Sequence, residues 1–152
     1  ISNGHSLIRL DWNQTGWDDS DQPDNVSRET KSQLEAFFAG NLHQFNLPLA
    51  PAGKSAAGKK WLEVMAQIPY GTVMTYSEFA ALAGKPKAAR AAGSICASNP
   101  IPIIYPCHRV VRADGSLGNY GGGSDHHPTH PNNLARKGDL LRLEANSAAN
   151  AT

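Results

Sequence analysis

Cysteine is scarce in this chain, with Cys96 and Cys107 the only two among 152 residues. Two thiols cannot build a disulfide framework, which excludes a small stapled secreted scaffold and points to a reducing compartment. Long hydrophobic runs are missing as well. Nothing approaches the roughly 18 apolar residues of a membrane span, and no basic head with an apolar middle marks a signal peptide. We therefore expect an intracellular protein, in a bacterial cytoplasm or a eukaryotic nucleus, with no membrane partner. Charge of one sign is absent too, since the net is only +1. The 40% hydrophobic and 18% charged content is that of an ordinary globular chain able to bury one sizeable core. The chain opens on Ile1 rather than methionine, so a truncated N-terminus is expected.

What is present is unevenly spread. Residues 1–50 carry seven acidic side chains against three basic ones, a balance of −4, while the remainder carries eleven basic against six acidic, a balance of +5. A polyanionic partner for the second part is one reading of that asymmetry, and a merely solvated surface is the other.

Hydrophobic spacing divides the chain in two. Residues 6–12 alternate as a strand and residues 13–25 form a polar loop with Gly16 and Pro23. Ser27 is placed to cap a helix with Leu34, Phe37 and Phe38 on its apolar face, stopped by Gly40. Residues 47–53, with Pro48, Pro51 and Gly53, read as a linker. From Ser55 a second helix buries Trp61, Leu62 and Met65 and ends before Pro69. These signals predict an α+β protein: a small α/β N-terminal domain over residues 1–50 and a mostly helical domain over residues 51–152, without internal repeats.

Within the second domain, Thr75 and Glu78 have capping-box spacing and open a short helix that Gly84-Lys85-Pro86 interrupts. A further helix follows over residues 87–97. Helix, glycine-containing turn and helix together outline a helix-turn-helix. The second helix is built from small residues, Ala88, Ala89, Ala91, Ala92, Gly93 and Ser94, around one long cation, Arg90. Major-groove readers present several polar side chains to base edges, and this helix presents almost none. Either it sits tightly against DNA in the minor groove with Arg90 projecting, or it is an alanine-rich helix packed in a core.

The most informative stretch is Pro106-Cys107-His108-Arg109-Val110, which follows the apolar run Ile101-Pro102-Ile103-Ile104-Tyr105. Thiols react as thiolates, and a free cysteine with a pKa near ~8.5 needs a neighbouring base or cation to ionise at neutral pH. His108 and Arg109 are candidates for both tasks. Pro106 restricts Tyr105 to extended geometry, so the expected strand over residues 101–105 ends where the cysteine begins. Buried packing as a small hydrophobe is the competing reading of Cys107.

Taken together, Pro-Cys-His-Arg-Val after Ile-Pro-Ile-Ile, preceded by Ser98-Asn99-Pro100, Tyr76 and the Arg90 helix, resembles the O6-alkylguanine-DNA alkyltransferases over roughly residues 55–144. The resemblance implies a suicide repair protein, working once and without a cofactor, that moves an alkyl group from O6 of guanine, and in some members O4 of thymine, onto its own cysteine. Its partner is then double-stranded DNA bound from the minor groove by a monomer, with the damaged base flipped out because O6 lies inside the duplex. By this resemblance Cys107 is the nucleophile and His108 the base acting through a water. Glu144, in Leu140-Leu141-Arg142-Leu143-Glu144, orients the imidazole as in a hydrolase triad. Tyr76 assists the leaving guanine and orients the target phosphate, Arg90 fills the space of the rotated nucleotide with Ala89, Ala91 and Gly93 on the same DNA-facing helix, and Asn99 braces the turn. Tyr120, Gly121, Val110 and Cys96 fall at the alkyl pocket. Arg112-Ala113-Asp114-Gly115-Ser116 carries a hairpin-turn signal after the site.

The chain departs from the family pattern in the segment 124–133, which inserts three histidines and Asp125 before the last helix. Pro128 and Pro131 break helical ligand spacing, so we read a solvated loop and no metal site. The N-terminal region is short and lacks any cysteine for a structural zinc, and Gly138 weakens the terminal helix by roughly 1 kcal/mol relative to alanine. Three other functions compete for the same residues. A non-catalytic binder of alkylated DNA leaves Cys107 unexplained, and a helix-turn-helix regulator leaves the Cys107, His108 and Glu144 set unexplained. A Cys-His hydrolase leaves Arg90 and its helix without purpose.

Overall fold

The computed structural model describes residues 1–12, 24–120 and 127–150. Its elements follow the chain as α1 (Asn25–Phe38), α2 (Ala56–Met65), β1 (Met74–Thr75), α3 (Tyr76–Leu82), α4 (Ala89–Ala97), β2 (Val110–Val111) and α5 (Pro131–Asn150), a mixed α+β arrangement. The two short strands run parallel, pairing Met74 with Val110 and Thr75 with Val111.

Local sequence explains most of the helix ends. Asp24 caps α1 by accepting from the Ser27 backbone N–H at 2.8 Å, so Ser27 is the third helical residue and not the cap expected of it. A carboxylate there satisfies an orphan N–H and also meets the positive end of the helix dipole, which a serine hydroxyl does less well. Thr75 caps α3 as its spacing predicts and Ser55 caps α2, taking the N–H groups of Glu78 and Gly58 at 3.1 Å each. Gly84, at φ +77, closes α3 in the left-handed conformation, and Lys85 N–H returns to the Ala80 carbonyl at 2.9 Å. Helix α4 starts at Ala89, two residues later than the composition suggests. Ala88 offers no side chain to cap it, and the Ala88 N–H is taken by the Lys85 carbonyl in the turn.

Two expected strands do not form. Residues 101–105 fold into a turn in which Tyr105 N–H donates to the Ile101 carbonyl at 3.0 Å, and Ile103 sits at φ +73. Pro102 has no N–H to give a ladder, and the run is buried on all sides, so its apolarity signals burial and not pairing. The left-handed backbone of a β-branched residue is a strained exception, held by its surroundings. Residues 6–12 make only isolated bridges, Leu7 donating to Pro48 at 2.8 Å and accepting from Ala50 at 2.9 Å. Prolines at 48 and 51 limit the pairing on the opposite segment to that step.

One hydrophobic core joins these parts. Leu7, Phe37, Leu62, Met65, Phe79, Ile101, Val110 and Leu140 are buried in a single cluster, which draws on residues before and after position 50. Phe38, expected on the inner face of α1, is exposed, while Phe37 is fully buried against Phe45 and Tyr70. Helices α3 and α4 pack closely, with Ala92 and Cys96 on the inner face. Ala92 has no exposed surface, so Ala92→Leu forces extra methylenes into a filled space. We expect it to lower unfolding free energy by about 1–3 kcal/mol, read from urea denaturation against wild type.

Candidate active site

Cys107 stands at the head of a three-residue 3-10 turn, Cys107–Arg109, that feeds directly into β2. Asn99 shapes the approach. Fully buried, it donates from Nδ2 to the Tyr105 carbonyl at 2.8 Å and accepts the Ile101 N–H on Oδ1 at 3.0 Å, locking the end of α4 to the turn before the thiol. Cys107 N–H donates to the Tyr105 carbonyl at 2.8 Å. Burial raises the Cys107 thiol above its ordinary value, with Asn99 and the Lys137 ammonium pulling the other way. The sulfur is thus a thiol at rest and requires a base.

The candidate base, His108, is held by α5. Asn133, Lys137, Leu140 and Glu144 recur at steps of four, three and four, one stripe of the helix, and all four are buried. Glu144 Oε2 lies 2.5 Å from His108 Nε2. Arg109 grips the same carboxylate twice, Nε to Oε1 at 2.8 Å and Nη2 to Oε2 at 3.0 Å, while its Nη1 donates to the Ile68 carbonyl at 2.7 Å. Gly71 N–H donates to Oε1 at 3.2 Å. An ionised carboxylate only accepts, so the proton between Glu144 and His108 belongs to Nε2. Nδ1 is therefore the basic nitrogen, and it has no hydrogen-bond partner among the described residues.

Electrostatics agree with this assignment. Burial presses the Glu144 carboxyl upward, but the hydrogen bonds and charges of His108 and Arg109 outweigh it and hold the group at about 2. His108 is pushed below 6.5, chiefly by burial, against the upward pull of Glu144. Arg109 already neutralises Glu144, so the imidazole stays neutral and able to take a proton. Sequence reasoning offered Arg109 as a cation for the thiol; its guanidinium turns to Glu144 instead. The cation near the thiol is Lys137, which the sequence reading missed. Its Nζ donates to the carbonyls of Val110 at 2.5 Å, Asn119 at 3.1 Å and Leu117, tying β2 to the following loop. Burial lowers the Lys137 pKa and the two cysteines raise it. A lysine seven residues before Glu144 on the buried stripe was the available signal.

Tyr76 opens α3 beside this loop. Its hydroxyl accepts the Asn119 N–H at 3.1 Å, leaving its own proton to donate, and burial raises its pKa to about 12. Gly118 at φ +77 makes this approach possible, since a Cβ there would lie 2.6 Å from the Tyr76 oxygen. On the other side an added Cβ at Gly93 would come within 4.0 Å of the Tyr76 ring. Gly93 is thus turned toward Tyr76, whereas Arg90 and Ala91 are exposed on the outer face of α4 and Ala89 is half-buried. Tyr120, Val110 and Cys96 are buried, and burial raises Tyr120 and Cys96 well above their ordinary values. Gly121 lies outside the described residues, as do Asp125 and His126 of the histidine-containing segment. Past them Tyr120 N–H donates to the Pro128 carbonyl at 2.8 Å, and Pro131 opens α5. Among the described residues no three His, Cys, Asp or Glu side chains converge as metal ligands, and no helix is long and apolar enough to cross a membrane.

Comparison with known proteins places the chain in a family. The family described as 6-O-methylguanine DNA methyltransferase, DNA binding domain, matches residues 57–146. The methylated-DNA–protein-cysteine methyltransferase of Methanosarcina barkeri is 44% identical over 120 residues, 79% of this chain and 69% of that protein. Its counterpart from Mycobacterium leprae is 42% identical over 132 residues, 86% of this chain and 71% of that protein. Among solved structures, Mycobacterium tuberculosis OGT in complex with DNA superposes with a TM-score of 0.79 at 34% identity, covering 97% of this chain and 85% of that one.

The Glu144 cluster sets the acid stability of the fold. A carboxyl depressed from 4.5 to about 2 contributes stability that is complete above pH 4.5 and is lost as pH falls through 2. His108, depressed below 6.5, adds to the loss in acid, because the unfolded imidazole takes up a proton that the folded one resists. Arg109→Leu leaves a buried carboxylate without its main counter-charge, so we expect a loss of about 3–5 kcal/mol at pH 7 by urea denaturation. We expect Glu144→Gln to flatten the wild-type decline in stability between pH 4.5 and 2, the window set by the depressed carboxyl.

Proposed function

Because this chain belongs to the methylated-DNA–protein-cysteine methyltransferase family and is a DNA repair alkyltransferase, we propose that Cys107 is the sulfur that accepts the alkyl group, once and irreversibly. The observation that carries the assignment is the 2.5 Å contact between His108 Nε2 and Glu144 Oε2, which leaves Nδ1 as the free base next in sequence to the thiol. The Cys107 proton passes to His108 Nδ1 through a water, and the imidazolium so formed is offset by Glu144. The thiolate attacks the alkyl carbon in line, forming the S–C bond as the C–O6 bond breaks. The electron pair leaves on the guanine, and Tyr76, kept protonated by its raised pKa, donates toward a ring nitrogen. Lys137 favours the thiolate through its charge.

Reaching O6 requires the nucleotide to leave the stack. Helices α3 and α4 form the helix-turn-helix that enters the minor groove of double-stranded DNA, with exposed Arg90 filling the space of the flipped base and Ala89 and Ala91 allowing close approach. Asn99 keeps that helix in register with the thiol. Val110, Tyr120, Gly121 and Cys96 line the alkyl pocket, residues 1–50 are a scaffold for the catalytic part 51–152, and the protein acts as an intracellular monomer on O6-alkylguanine.

Intact-mass spectrometry after incubation with a duplex containing one O6-methylguanine checks the central claim. We expect the protein to gain a single methyl group on the peptide bearing Cys107 and the duplex to lose it, with Cys107→Ser unchanged in mass while still binding DNA. A wild-type mass that stays constant in the presence of bound duplex rejects the transfer and leaves a non-catalytic binder of alkylated DNA.

A further inference from the structure

Residues 1–12 reach the active site itself. Leu10 N–H donates to the Pro100 carbonyl at 2.8 Å, so the segment runs along the corner that Asn99 braces. Two residues on, the half-buried indole of Trp12 meets Tyr120. Its Nε1 donates to the Tyr120 hydroxyl at 3.3 Å, and the rings meet edge to face with centroids 6.3 Å apart. Tyr120 is 1% exposed and has no other side-chain hydrogen bond among those the described residues make to its hydroxyl. The Arg136 guanidinium of α5 lies over the indole, 5.0 Å from the ring centroid, and donates to Asn133 Oδ1 at 3.2 Å. Trp12 is therefore clamped between Tyr120, which lies close enough to Cys107 to feel its charge, and Arg136, the residue preceding Lys137.

We propose that Trp12 is a specificity-determining positioning residue, which backs Tyr120 from outside and so limits the size of alkyl group that Cys107 can receive. The proposal rests on the alkyl-transfer reading above. A tyrosine ring held by an edge-to-face neighbour and a hydrogen bond at its tip cannot swing outward to admit a larger substituent. An indole stacked under a guanidinium is itself hard to displace. Among the described residues the hydrogen bond and ring contacts of Trp12 go to Tyr120 and Arg136 and not to the base-orienting pair, so its loss changes which group fits without removing the chemistry. The clamp also gives the N-terminal segment a stake in substrate choice, beyond its share of the core.

The test compares single-turnover transfer rates from duplexes bearing O6-methylguanine and O6-benzylguanine in wild type, Trp12→Ala, Trp12→Phe and Arg136→Gln, each also followed by thermal unfolding. We expect Trp12→Ala to raise the benzyl-to-methyl rate ratio by at least about threefold. Trp12→Phe keeps an aromatic edge against Tyr120 and is expected to restore most of the wild-type ratio, while Arg136→Gln shifts it in the direction of Trp12→Ala. A merely structural role predicts equal slowing on both substrates and an unchanged ratio, which overturns the proposal. Should Trp12→Ala fail to fold, the ratio in Arg136→Gln decides in the same two ways. Wild type that methylates Cys107 while the ratios stay level sinks this inference alone, and wild type that takes up no methyl group sinks both.

Discussion

A single buried carboxylate organises the catalytic half of this molecule. Glu144 receives hydrogen bonds from His108, from Arg109 twice and from the Gly71 backbone, joining α5, the turn after α2 and the active-site turn at one point. An ion placed so deep is tolerable only when its lone pairs are filled and its charge is balanced. Arg109 does most of the balancing, and it is held in turn by the Ile68 carbonyl and the face of Tyr70. The consequence for chemistry is indirect. With the negative charge already met, His108 need not be protonated to satisfy Glu144, so the imidazole can be neutral, correctly tautomerised and basic on the side away from the carboxylate.

The same reasoning explains why small residues cluster on α4. Ala92 and Cys96 let α4 pack flush on α3. From the loop side Gly118 leaves room for the Tyr76 ring, and Lys137 pulls its neighbours Leu117 and Asn119 inward by their carbonyls. Tyr76 is thus fixed by close backbone approach at Gly118, while Gly93 faces it across a distance that a methyl group would also tolerate. One helix face serves the interior through smallness while its other face, with Arg90 and Ala91, stays open to a groove. The two readings of an alanine-rich helix, core packing and close approach to DNA, apply to different faces of the same element.

Much of the candidate site was legible because its signals are local or carried by order along the chain. The Cys107-His108 pair, the Thr75 and Ser55 caps, the small-residue helix and the Leu-Leu-x-x-Glu ending at Glu144 all lie in contiguous residues. Failures came where a local pattern had two physical meanings. Apolar residues 101–105 read as a strand because burial and pairing favour the same side chains, and only the backbone, with Ile103 at φ +73, separates them. Ser27 and Asp24 are both good caps three residues apart, and the carboxylate took the position.

Sequence alone determined the chemistry available here: which thiol, imidazole, carboxylate and phenol the chain carries, in what order, and roughly where its helices lie. Tertiary structure decided which groups meet. Arg109 pairs with Glu144 across 35 positions, Lys137 with Val110 across 27, and Trp12 with Tyr120 across 108. No periodicity or cap encodes such contacts. They arise because burying α5 against the active-site turn removes water from every polar group on that face, and each must then find its partner within the protein.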